Sequence, residues 1–437
     1  MSSEKPQGPL EREIRRLTSV SSHDLVVLVE ACGDRGADLA RPDDHDVHPS
    51  VPRSIPNVAR AVVSELLSSC SDEAFGAGHG DERFHTSPHT FAMTTIHAAM
   101  RNGLLVVEGS KNAWQTRHRL GDHDLECVAV HPDAPHRVFV GTFDAGLHRS
   151  ADGGETFERV GEDTIGEHVM SLAVDPQRPK TVWAGTEPSA VYRSTDGGGS
   201  WKRREGLTDL SSSSEWSFPP RPDTHHVRWI EPDPGDPDHL YVGIEAGALV
   251  QTHDAGATWE DRVETARVDN HSLATHSDAP DRAWSAAGDG YAETHDAGET
   301  WTHPQEGLDH RYCWSVAVDP ADPETVLVSS ASGARSAHTV DTAESYVYRK
   351  RGDGSAGSDP WERLDDRGLP TGEGVVRAVL ARSGAAGEFY AANNHGLFVT
   401  TDAGDSWTRL GVEWPTTFES GTPRGLAVLA RSGCDHG

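Results

Sequence analysis

Seven apolar segments of the chain, aligned on the Asp-Pro and related turns that follow them, carry Glu126, Met170, Arg228, His271, Trp314, Arg377 and Arg424 at one equivalent position. Two residues earlier, with the same facing in an extended chain, stand Asp124, His168, His226, Asp269, Tyr312, Val375 and Thr422. Gathered at one place, Arg228, Arg377 and Arg424 would hold a carboxylate or phosphate through forked hydrogen bonds. Their plainer use is to pair with neighbouring acids of a protein whose formal charge is -30. His168, His226 and His271, with Glu126 or Asp269, offer nitrogen and oxygen ligands of the zinc or iron kind. No close-spaced ligand pair supports such a centre, and adjacent guanidinium groups would repel a cation, so neither a metal nor a cofactor is expected.

The elements that must position these side chains come from a repeat. One eight-residue motif occurs five times, as Ser150–Phe157, Ser194–Trp201, Thr252–Trp259, Thr294–Trp301 and Thr400–Trp407. Each copy has Ser or Thr, then Asp two later, Gly two after that, and an aromatic at the eighth place. The spacing predicts a hairpin turn in which Asp152, Asp196, Asp254, Asp296 or Asp402 accepts hydrogen bonds from turn amides while Gly supplies φ > 0. These aspartates are therefore structural. The aromatic opens the next strand and fills the space between sheets.

Upstream of each motif the same order of short apolar strands and Pro- or Gly-rich turns recurs, giving four antiparallel strands per unit. Units begin near Leu125, Val169, Val227, Asn270, Cys313 and Val376. The segment Arg424–Arg431 is a first strand with nothing after it, while residues 95–118 supply strands two to four with no first strand before them. Joining the ends completes a seventh unit and removes an exposed sheet edge. The expected fold is all-β, a seven-bladed β-propeller over 93–431 with a split, one-plus-three closing blade. The fifth and closing units keep Trp361 and Trp114 but lack the Asp turn.

These turns resemble the Asp-box, or BNR, repeats of sialidases, sortilin-type receptors and photosystem II assembly-factor-like propellers. The resemblance covers about three quarters of the chain and speaks for fold more than for function. By comparison with sialidases, Arg228, Arg377 and Arg424 would be the triad for a sugar carboxylate, Tyr312 the nucleophile, Glu126 its partner, and Asp124 or Asp269 the acid. An Arg-Ile-Pro segment that sialidases carry before their first Asp turn is missing. The leading expectation is a non-enzymatic recognition or scaffold propeller that binds a protein partner or an anionic small molecule or glycan at one end of its channel. An exo-acting glycoside hydrolase of the sialidase type is the alternative.

Composition narrows the partners. Against 69 acidic residues stand 34 Arg and only five Lys, a balance that argues against nucleic acid and anionic membranes. It resembles haloarchaeal proteins, whose molar salt shortens the Debye length to ~3 Å and screens self-repulsion. No apolar run approaches the ~20 residues of a membrane span, and with no export pattern the expected location is the cytoplasm. The five cysteines form no metal-type spacing; Cys127 and Cys313 fall in apolar strands as core thiols. Residues 1–92 read as a weakly structured extension, with one helix over 55–69, or as a start assigned too early with Met93 as the true beginning; 432–437 are a tail. Two insertions, 207–224 with Trp216 and 332–346, lengthen loops on the side where the arginines meet.

Overall fold

The computed structural model describes residues 93–110, 113–352 and 360–431, all within the unit Pro88–Gly437. The expectations for residues 1–92 and the tail fall outside the described residues.

The aligned apolar segments form the strands Leu125–Val130, Val169–Val174, Val227–Pro232, Asn270–His276, Tyr312–Asp319, Val379–Arg382 and Pro423–Arg431. Each is the first strand of its own antiparallel sheet. Each packs against the next, and Pro423–Arg431 touches both Val379–Arg382 and Leu125–Val130, so the seven close into a ring. The protein is a seven-bladed β-propeller. Its closing blade is split: Pro423–Arg431 pairs with Met93–Met100, which continues into Gly103–Ser110 and Ala113–Arg119. No helix among the described residues is long and apolar enough to cross a membrane.

The outer strand of the closing blade, Ala113–Arg119, has seven residues, but the outer strands of the other six blades are shorter than the sequence suggests. They span three residues at Glu158–Val160 and Lys202–Arg204, two at Glu362–Arg363 and Thr408–Arg409, and shrink to the single bridges Gln251↔Glu260 and Glu293↔Thr302 in blades three and four. An edge strand has one neighbour, and short, charged edges resist pairing with other chains.

All five Asp turns share one geometry. In the first, Asp152 accepts the Ser150 hydroxyl at 2.6 Å, the Thr156 amide at 2.9 Å and the Thr156 hydroxyl at 2.6 Å. Asp402 repeats the set with Thr400 and Ser406. Two consecutive residues take positive φ, and in three copies the first of them is alanine (Ala255, Ala297 and Ala403, φ 55–57°). The motif glycine is also a packing requirement, since a Cβ at Gly198 would crowd Phe139 of the preceding blade. Each eighth-place aromatic fills a seam between blades: Trp201 lies with Phe139 and Val182, Trp301 with Tyr241 and Leu249, and Trp407 with Leu327 and Phe389. Trp361 does the same between blades four and five without an Asp turn. At that seam Lys350, fully buried, reaches Glu293 of the neighbouring blade at 2.5 Å, and the Tyr291 hydroxyl donates to the same carboxylate at 2.7 Å. Cys127 and Cys313 are buried free thiols.

Candidate functional site

Pairing between first and second strands slips by one residue at the same place in six blades. The residues left over are Glu126, Met170, Arg228, His271, Trp314 and Arg424, each the extra residue of a β-bulge. Such a residue leaves the ladder and its side chain is re-aimed. Arg377 stands two residues before the paired strand Val379–Arg382. A second device repeats beside it: the amide of the residue following the second strand bonds back to the carbonyl of Asp124, His168, His226, Asp269 or Thr422. The donors are Phe143, Glu187, Glu245, Gly288 and Arg101.

Around the Trp314 indole these positions converge. The Arg377 guanidinium lies 3.8 Å from the ring centre and that of Arg228 4.8 Å away. His271 and His338 pack on the same ring at 4.4 and 4.5 Å between centroids. Glu126 faces Arg424 at 3.4 Å and Arg228 at 3.6 Å. Glu245 accepts from His226 at 2.8 Å and stands 3.6 Å from Arg228 and 3.8 Å from His271. Arg377 makes no ion pair among the described residues. Its Nη1 donates to the Pro423 carbonyl at 2.6 Å, its Nε to His338 Nδ1 at 3.2 Å, and its buried Nη2 has no partner. Burial, followed by the neighbouring Arg424 and Arg228, pushes its pKa well below the usual arginine range.

His338 fixes the state of Tyr312. Because Arg377 Nε can only donate, His338 Nδ1 accepts, and the ring proton sits on Nε2, which points at the Tyr312 hydroxyl oxygen 3.2 Å away. Burial and the Arg377 charge hold His338 neutral, with its pKa far below normal. Burial, with Glu245 and Asp269, pushes the Tyr312 phenol up. The hydrogen-bond partner of this hydroxyl is thus an imidazole N–H rather than a carboxylate.

Two expected members lie elsewhere. Asp124 is held by the Arg101 fork at 3.0–3.2 Å. His168 bonds the Phe143 carbonyl and stacks on that ring at 4.3 Å. His226, Asp269 and Tyr312 hold the same pre-bulge position and join the cluster; in blades one and two the partners of that position are Arg101 and Phe143 instead. Trp216 is buried beneath its own insertion, its indole N–H on Ser212 at 3.0 Å. That insertion brings Arg221 across to Glu187 in a fork of 2.7 and 2.5 Å, and Glu187 lies 3.4 Å from His226. Burial alone would raise Glu187, but His226 and Arg221 hold it at about 2. Burial would lower His226; the carboxylates of Glu187 and Glu245 outweigh it and raise its pKa.

Sequence reading missed Glu187, Glu245, Arg221 and His338. A signal existed for the first two, since both are acids placed directly after a second strand.

No protein-family model matches the sequence, and no curated protein sequence matches it. Solved structures resemble it in architecture. An ancestral GH74 enzyme aligns over 70% of this chain and 38% of its own, with 14% identity and a TM-score of 0.49. The GH74 xyloglucanase from Xanthomonas campestris aligns over 73% and 54%, with 17% identity and a TM-score of 0.49. YCF48 bound to D1 peptide aligns over 66% and 81%, with 18% identity and a TM-score of 0.45. The chain spans less than half the length of the ancestral GH74 enzyme.

Proposed function

We propose that this chain is a recognition propeller of the Asp-box type that binds an anionic group, the carboxylate of a protein partner or of a small acid, where Arg228, Arg377 and Arg424 meet. Arg377 carries the reading, being a desolvated guanidinium with no carboxylate partner among the described residues and an Nη2 lacking any acceptor. Charge-assisted N–H···O bonds run ~2.7–2.9 Å. Glu126 stands 3.4 and 3.6 Å from two of the arginines, so donor capacity is left on both. Solvent reaches the cluster at Arg424, whose side chain is 15% exposed, and at Asp269, 30% exposed. The charge of -30 favours a compact anion over a polyanion such as nucleic acid. The same composition suits a salt-loaded cytosol. A sialidase-type hydrolase would need Tyr312 paired with a carboxylate, and its engagement by His338 weighs against that alternative.

Thermal-shift titration in molar KCl with acidic sugars, nucleotides and carboxylate-terminated peptides tests this. At least one carboxylate class should raise the midpoint. Arg424→Ala and Arg377→Lys should weaken it about tenfold or more, the worth of one charged hydrogen bond. An equal lack of response in the natural protein and both variants would overturn the reading.

A further inference from the structure

We infer that Glu245, Asp269 and His271 form a site for one divalent first-row cation of the zinc or manganese kind. The inference does not rest on the anion reading above. One ligand atom from each of the three lies within 4.8 Å of the others. The His271 Nδ1–H donates to the Cys313 carbonyl at 2.7 Å, which fixes the proton there and leaves the lone pair on Nε2. Metal-bound histidines are commonly oriented by such a bond to a backbone carbonyl. The Nε2 atom is buried, has no hydrogen-bond partner, and faces Asp269 Oδ1 at 3.7 Å and Glu245 Oε1 at 3.8 Å. These separations are too long for N–H···O bonds. They are close to those of ligands sharing one ion, because tetrahedral donors at ~2.0–2.2 Å from a metal stand roughly 3.3–3.6 Å apart, so binding needs the side chains to close in by a few tenths of an ångström.

Asp269 Oδ1 accepts the Ala246 amide at 2.9 Å, which orients the carboxylate and leaves that oxygen a second lone pair. Glu245 turns its other oxygen, Oε2, to His226 and Arg228, keeping Oε1 toward His271. Gly288 makes room, since a Cβ there would overlap Asp269 Oδ2. The partly exposed Asp269 gives a route in. A histidine with two carboxylates suits borderline divalent ions, and three protein ligands leave positions for water or an anionic group. The sequence expectation of no metal rested on the lack of close-spaced ligands and on adjacent guanidinium groups; the ring juxtaposes ligands of two blades, and Arg228 stands 3.6 Å from Glu245 Oε2, the oxygen turned away from His271. The rival state is a doubly protonated His271 bridging the acids.

Calorimetric titration of the chelator-treated full chain with ZnCl2 or MnCl2, in molar KCl to screen diffuse binding to the acidic surface, tests the inference. One saturable equivalent is expected for one of the two ions. Asp269→Asn and His271→Gln, which remove ligands, should weaken it by about 100-fold or more, beyond the ~10–100-fold of an outer-shell substitution, with circular dichroism unchanged. Gly288→Ala, which retains all three ligands but displaces Asp269, should weaken it as well. Arg424→Ala should bind the ion normally, which separates this inference from the anion reading. The absence of saturable binding, or binding that survives all three substitutions, would overturn it.

Discussion

The Arg377 guanidinium lies 3.8 Å from the centre of the Trp314 ring, and the ring also carries Arg228 at 4.8 Å. Two cations that repel one another are thus held on one π-system, which offsets part of their desolvation. Trp314→Ala should destabilise the protein by about 3–5 kcal/mol, because the cavity also strands Arg377 without a partner surface. Trp314→Phe, which keeps a ring, should lose less. Denaturant unfolding measures both, and equal losses would mean that a retained phenyl ring does nothing to hold the two guanidinium groups.

Ring closure depends on the strand Pro423–Arg431, whose pairing with Met93–Met100 completes the split blade from the two ends of the propeller. A chain ending at Thr422 should lose its single cooperative transition in calorimetry and expose the edge of Met93–Met100 to intermolecular pairing. Retention of one sharp transition would show that the other six blades hold the ring closed unaided.

The link from Arg221 through Glu187 to His226 makes the insertion pH-sensitive. His226 is raised from 6.5 by Glu187 and Glu245 against the pull of burial, so its contribution is whole below pH 6.5 and fades as pH climbs through the raised value. Glu187 is held at about 2 against an ordinary 4.5, so its contribution is whole above pH 4.5 and fades on acidification toward 2. Loop 207–224 should be most protected between pH 4.5 and 6.5. Amide exchange at Phe218, which bonds Thr224 at 2.8 Å, reports it once corrected for the intrinsic rate. His226→Gln should abolish the alkaline limb and leave the acid limb in place.

Lys350 and Glu293 are a buried pair across a blade seam. Lys350→Met should cost about 3–5 kcal/mol by leaving a carboxylate uncompensated, whereas Lys350→Met with Glu293→Gln should recover most of that loss. Urea midpoints compared in a double-mutant cycle decide it; additive losses would mean that the two charges do not interact.

The sequence by itself determined what depends on neighbours a few residues away. An Asp turn closes on partners two residues before and four after the Asp, so Asp152, Asp196, Asp254, Asp296 and Asp402 announce their hairpins locally, and the five eighth-place aromatics, with Trp361 and Trp114, announce seven seams. Blade count and the split closure follow from that spacing. Tertiary structure alone decided which charges meet. Arg424 and Glu126 lie at opposite ends of the array, His338 reaches Tyr312 and Arg377 from an insertion, and Arg221 reaches Glu187 from another. Spacing placed Asp124 and His168 level with their counterparts, yet Arg101 and Phe143 hold them locally. The physical reason is that a bulge re-aims the residue it frees, while the partners that capture it and its neighbours come from blades and insertions distant in sequence, which no local spacing encodes.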